Sequence, residues 1–235
     1  GAINTMTSFW ASQIKIGSVT VDIGANAGEY IEHVLEFIGT SGHIYAIEPG
    51  PQLYKALCDK YLGNDQITCF NFGISNGIYS KVVGHYKHWI LVSEEEHPDK
   101  IANPASYNIM HDNAKKEKFT CNFVTLDSLK DYMPRYNEIK FLKIDVDGYE
   151  LKVLQGAEKL VQELRPSILI ELSPDNMALV GDDFEDSIRI LHEYGYTFFH
   201  GEDGLSMTDS DIKHNLYVEH AGQENAGIDI LCMPI

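Results

Sequence analysis

Basic residues are scarce in this chain: 18 lysines and arginines stand against 35 aspartates and glutamates, a formal net charge of −17 over 235 residues. A surface of that sign repels a phosphate backbone, which argues against general RNA or DNA binding but not against one nucleotide-like cofactor in a local pocket. Paired cysteines are missing too. Cys58, Cys69, Cys121 and Cys232 lie far apart with no CxxC among them. Neither a disulfide framework nor a zinc site is expected, and the four read as buried free thiols in a reducing compartment. No apolar run reaches the roughly 18 residues of a membrane span. The opening GAINTMTS lacks the basic and apolar regions of a signal peptide, and Gly1 in place of Met reads as a tag remnant or truncation point. A soluble cytoplasmic protein is the expectation. There are no internal repeats and no low-complexity segments.

What is present is enough apolar and aromatic material, 44% and 11% of the residues, to bury a substantial core. The length suits one domain over residues 1–235. VTVDI (19–23) has the continuous branched pattern of a buried strand. EYIEHVLEFIG then places Tyr30, Ile31, Val34, Leu35 and Ile38 on one helical face, with Gly39 as a stop. HIYAIEPG reads as a second strand, PQLYKALCDKYLGN as a helix with Pro51 in its first turn, and ITCFNFGIS as a third strand. This β-α-β-α-β rhythm predicts a doubly wound, mostly parallel sheet.

Residues 76–118 interrupt the rhythm. GIYSKVVGHYKHWILV suits a hairpin, while SEEEHPDKIANPASYNIMHDNAKKEK is polar, carries two prolines and reads as a long loop or lid. FTCNFVTLDSL follows as another extended piece leading into a short helix. FLKID and SILIELS are then strands, separated by one helix striped with Leu151, Leu154, Ala157, Leu160, Val161 and Leu164. DFEDSIRILHEYG is a further helix, and YTFFH and IDILCMPI are two terminal strands. The count is seven strands, with an antiparallel C-terminal edge.

In such sheets ligands bind beyond the carboxyl ends of the strands. The first strand ends Asp22-Ile23-Gly24-Ala25-Asn26-Ala27-Gly28, where glycine permits positive φ and close backbone approach and the next helix offers free N–H groups. The second ends Glu48-Pro49, a carboxylate placed to accept hydrogen bonds from ribose hydroxyls. A dinucleotide site uses an acidic residue there too, but its GxGxxG fingerprint is not met: Asn26 stands at the middle glycine.

The stretches VDIGANAGEY, AIEPGPQLYKAL and FLKIDVDGYELKVLQGA, in that order, resemble the FkbM family of methyltransferases, from about residue 19 to 173 and more loosely beyond. Lys143, Asp145, Gly148, Glu150, Val153, Leu154 and Gly156 match the family's KIDVEGxExxVLxG motif; Asp147 replaces its usual Glu. The resemblance implies a seven-stranded Rossmann-like fold and methyl transfer from S-adenosylmethionine, typically to an oxygen of a sugar or related small molecule. It implies that Asp22, Gly24, Ala25, Asn26, Gly28, Tyr30 and Pro49 bind the cofactor, with Gly24, Asn26 and Gly28 lining its methionine end. Glu48 would then hold the ribose, and Gly73 and Ile74 would lie beside the adenine. Two other readings remain: a methyltransferase-like binding or scaffold protein, and a nicotinamide-dependent oxidoreductase.

Transfer to an alcohol needs a base or a metal. Asp145, at the end of the fourth parallel strand, is the candidate base, with a purely positioning role as the alternative. Glu171 can join Asp145 in binding a divalent cation through hard oxygen ligands, although no cation is expected. Asp147 and Glu150 also read as carboxylates at a helix N-terminus. His85, His88, His97 and His111 are in or near the insert, within reach of an acceptor or simply solvated. Trp89 and Tyr107 suit either stacking on a sugar or pinning the insert. No spacing names the acceptor.

Overall fold

The computed structural model describes residues 8–86, 90–102, 118–219, 223 and 227–235. The first half runs through α1 (Phe9–Ser12), β1 (Val19–Ile23), α2 (Glu29–Ile38), β2 (His43–Ile47), α3 (Pro51–Lys60) and β3 (Ile67–Phe70). Next come β4 (Gly73–Ile74), β5 (Tyr79–Tyr86), β6 (Ile90–Ser93), α4 (Pro98–Ala102) and β7 (Phe119–Val124). The second half holds β8 (Ile139–Ile144), α5 (Glu150–Gly156), α6 (Glu158–Leu164), β9 (Ser167–Leu172), α7 (Pro174–Leu179) and α8 (Phe184–Glu193). It closes with β10 (Tyr196–His200), β11 (Ser206–Met207), α9 (Asp209–His214) and β12 (Ile228–Pro234).

The main sheet has the order β11-β10-β12-β9-β8-β1-β2-β3. β1 lies between β2 and β8, parallel to both, and every residue of β1 is buried, as a strand covered on two faces requires. Val19, Val21 and Ile23 pack toward α5, α6 and α8 in one apolar cluster. On the opposite face Ile31, Val34 and Ile38 of α2 meet Leu57 of α3 and Phe141 of β8. The alternation of side chains along each strand thus feeds two separate cores. All seven expected strands are present, and the two-residue β11 adds an eighth at the edge. The C-terminal end is antiparallel, as read: β12 is inserted between β9 and β10, antiparallel to both.

Three details differ from the sequence pattern. The stretch read as one third strand ends at Phe70. There the Asn71 side chain donates to the carbonyls of Glu48 and Pro49 at 2.9 and 3.1 Å, and Gly73–Ile74 passes into a different sheet. That second sheet, β4-β7-β5-β6, is built largely from the insert. The expected hairpin forms its β5–β6 pair, and β7 bonds to β5 and β4. Finally, the helix read across 150–164 breaks at Ala157 (φ −111°) into α5 and α6. Gly156 explains the break in packing terms: a Cβ there would come within 2.1 Å of the Ser75 carbonyl oxygen, so the helix end lies directly against the end of β4.

Candidate active site

The chain leaves β1 toward β2 and β3 on one side and returns to β8 and β9 on the other, so the carboxyl ends of β1 and β8 flank the switch in strand order. Gly24 caps β1 with φ +86°, and a Cβ there would be 1.9 Å from the Asp145 carbonyl oxygen. No side chain fits. The amides of Gly24 and Ala25 both donate to the Ile47 carbonyl at 3.0 Å, which ties the turn to the end of β2. Asn26 follows with φ 47°, a conformation that asparagine tolerates better than most residues. Gly28, φ +86°, caps α2 and is packed against Leu57 and Tyr61 of the α3 end.

Glu48 is the bracket between these turns. One carboxylate oxygen accepts the Asn26 amide at 2.8 Å and the other the Gly50 amide at 2.7 Å. The residue is 5% exposed. Burial pushes its carboxyl up to about 7, against the two backbone hydrogen bonds that favour the charged form. Each oxygen keeps a further acceptor site.

A second arrangement is centred on Lys143. It pairs in register with Asp22 across β1 and β8, and its Nζ lies 3.5 Å from Asp22 and 3.1 Å from Asp145. The Tyr30 ring covers it at 5.7 Å. Asp22 is fully buried, and neither of its oxygens has a hydrogen bond. Burial, the largest influence, raises its pKa, and the Lys143 charge opposes that. Burial alone would lower Lys143, but Asp22 and Asp145 outweigh it and hold the ammonium above its ordinary value.

Around Asp145 the carboxylates accumulate. Asp145, Asp147 and Glu171 each bring an oxygen within 4.8 Å of the other two. The sequence paired Asp145 with Glu171 as ligands; the left-handed turn at Asp147 (φ 51°) brings in a third group. Burial first, then Asp145, raises Asp147 to about 7. Burial, Asp145 and Asp229 raise Glu171 to about 9. These oxygens could hold a cation, and Lys143 already supplies one beside them. Glu150 plays another part. It is buried, accepts the amides of Val146 and Gly148 at 3.0–3.3 Å, and closes the turn between β8 and α5. Burial raises it to about 8.

A cavity of about 910 Å³ joins these groups. Gly24, Ala25, Asn26, Tyr30, Glu48 and Pro49 line it, as do Gly73, Ile74, Asp145 and Glu171. Asp22 and Gly28 do not: the first stands behind Lys143, the second against α3. Lys143, Asp147, Asp229 and His85 also line it. The sequence reading assigned no site role to Lys143 or Asp229. Lys143 lies two residues before Asp145, on the same side of a strand, and that spacing was the available signal; the position of Asp229 depends on β12 pairing beside β9, which no local pattern specifies. His97 is not at the cavity; its Nε2 contacts the Leu179 carbonyl at 2.7 Å. His88, Trp89, Tyr107 and His111 lie outside the described residues.

The family model for the methyltransferase FkbM domain matches residues 22–198. This chain belongs to the FkbM methyltransferase family. Among solved structures, the FkbM methyltransferase of Methylobacillus flagellatus KT is similar with a TM-score of 0.53 and 16% identity; the match covers 92% of this chain and 43% of that one. The Aeropyrum pernix fibrillarin, solved with natively bound S-adenosyl-L-methionine, matches with a TM-score of 0.51 and 12% identity over 94% and 68% of the two chains. A putative rRNA methylase of Clostridium thermocellum gives 0.51 and 11% over 97% and 92%. At these identities the likeness is one of fold, that of Rossmann-like methyltransferases. No curated protein matches. No helix among the described residues is long and apolar enough to cross a membrane.

Proposed function

We propose that this FkbM-family chain is an S-adenosylmethionine-dependent methyltransferase that transfers the methyl group to an oxygen of a small polar acceptor such as a saccharide. The observation that carries the reading is the joining, in one cavity, of the side-chain-free turn at Gly24, the buried Glu48 and the Asp145 carboxylate.

The residues fit the cofactor. At Gly24 the absent Cβ leaves the backbone open to close approach, and the spare acceptor sites of Glu48 suit the two hydroxyls of a ribose. Asn26 supports this ligand over a dinucleotide, because its amide already donates to Glu48 and is not offered to a diphosphate. When bound, the cofactor supplies an electrophilic methyl on a positively charged sulfur.

The chain's own residues would do the rest. Ala25 and Asn26 would hold the methionine portion beside Asp145, with Tyr30 behind them; Pro49, Gly73 and Ile74 would border the nucleoside. The acceptor oxygen must line up with the methyl–sulfur bond, so positioning carries much of the rate. Asp145 would take the proton of the acceptor hydroxyl as general base. Lys143, bonded to Asp145 and backed by Asp22, would fix the direction in which that carboxylate points. The excess of carboxylates at this end and the chain's net charge of −17 support a small acceptor over a nucleic acid.

The test is a methyl-transfer screen with labelled cofactor over sugars, nucleotide-sugars, amino acids and phenols. Label entering a hydroxylated acceptor is the expected result. Cofactor binding with no transfer to any class would favour the scaffold reading.

A further inference from the structure

Of the four histidines in or near the insert, which the sequence left as either within reach of an acceptor or solvated, His85 lines the cavity. His85 is on β5, in the small sheet built from the insert. Its ring comes within 3.8 Å (at Cε1) of the point where a Gly50 side chain would begin, and one oxygen of Glu48 lies 3.0 Å from that same point. The imidazole is therefore a neighbour of the Glu48–Gly50 bracket. Aromatic and aliphatic groups are among its neighbours: the Phe119 ring is 5.8 Å away, and Leu91, Phe123 and Ile74 line the adjoining cavity wall. Burial lowers its pKa below the usual histidine value, so at neutral pH the ring carries one N–H donor and one acceptor nitrogen. The carboxylate group around Asp145 belongs to the ends of β8 and β9 in the other sheet.

We infer that His85 is a cofactor-reading residue: carried in by the insert, it completes with Glu48 the nucleoside end of the cavity and takes no part in proton transfer from the acceptor. This rests on the cofactor reading above. It assigns the insert's sheet to recognition of the ribose and adenine. Acceptor choice then falls to groups at the other end, where Trp10, Glu171 and Asp229 line the wall.

Adenosine isolates the nucleoside end, because it lacks the methionine portion and the reacting methyl. Binding of S-adenosylhomocysteine is measured by calorimetry, and that of adenosine by competition against it, for the wild type, His85→Ala and His85→Gln. The expected result is that His85→Ala weakens both ligands by the same factor, about tenfold for one buried polar contact. His85→Gln, which keeps a donor and an acceptor, stays within about threefold of the wild type. Should His85→Ala fail to fold, His85→Phe, matched to its apolar neighbours, gives the same readout. Unchanged adenosine binding in His85→Ala or His85→Phe would overturn the inference. So would a wild type that binds S-adenosylhomocysteine but releases none of it to millimolar adenosine. A wild type that binds neither ligand overturns the cofactor reading itself.

Discussion

The two ends of the cavity are both made from strand ends, yet they are unlike. At the Asp145 end, carboxylates from β9, β12 and the turn after β8 crowd around one lysine that Asp22 backs from below. At the Glu48 end, a single carboxylate is held by two backbone amides among aromatic and aliphatic side chains. The first end concentrates charge where a cationic sulfur and a departing proton would have to be accommodated. The second buries a shape and leaves a few polar groups to read it. On the proposed function the contrast would separate chemistry from recognition, and variants can break it at either end.

The largest effect is expected at the hinge between them. Gly24→Ala puts a methyl 1.9 Å from the Asp145 carbonyl and asks alanine to adopt φ +86°. Cofactor affinity should fall by more than about a hundredfold, from strain and a displaced turn together. A calorimetric titration reads this, and a variant that binds normally would move the cofactor elsewhere.

Asp145→Asn and Glu48→Ala should then separate the ends. The first is expected to cut turnover by about a hundredfold or more while the cofactor dissociation constant moves less than threefold. Equal losses in both would make Asp145 a binding residue. Glu48→Ala should do the reverse in kind, weakening cofactor binding by more than tenfold; an unchanged constant would contradict the ribose assignment.

A smaller effect concerns pH. Glu48 and Asp147 are raised to about 7, Glu150 to about 8 and Glu171 to about 9. Each folded value is above the unfolded one, so the native state binds more protons than the unfolded chain across that window. The contribution to stability is full below the unfolded carboxylate values of about 4 and is lost as pH rises through the folded values. The melting temperature should fall between pH 5.5 and 8.5 by several degrees, on the order of 3–10 °C, and Glu171→Gln should flatten the slope. A rise over that range would contradict the burial argument. The smallest effect is expected from a chelator: with Lys143 already supplying a cation beside Asp145, EDTA should leave turnover within about twofold, and a loss above tenfold would put a divalent cation on Asp145, Asp147 and Glu171.

The charged end was the more legible in the sequence. Branched runs mark β1 and β8 as buried strands and put Gly24 and Asp145 at their carboxyl ends; that the two ends meet follows from the strand order of the sheet. Glu48 follows from the spacing of one β-α-β unit. Asp147 was visible as a helix-start carboxylate, but its place in the cavity depends on a left-handed turn that the sequence marks only by the next residue, Gly148. The wall of the Glu48 end was less readable, because it comes from a second sheet whose pairings span the insert. Asn71, poorly suited to a strand interior, was the clue that the third strand stops early and that Gly73–Ile74 joins other partners. Gly156, the glycine in an otherwise helical stripe, marked the close approach to Ser75 that divides α5 from α6. His85 carried no such mark, since a histidine in a hairpin looks the same whether it faces solvent, acceptor or nucleoside.

The central claim is that the Gly24 turn, Glu48 and the insert's sheet enclose S-adenosylmethionine. Calorimetric titration of the wild-type protein with that cofactor tests it most directly. One saturable site of micromolar affinity, lost in Gly24→Ala and weakened in Glu48→Ala, is the predicted result; no saturable binding at millimolar cofactor would contradict it.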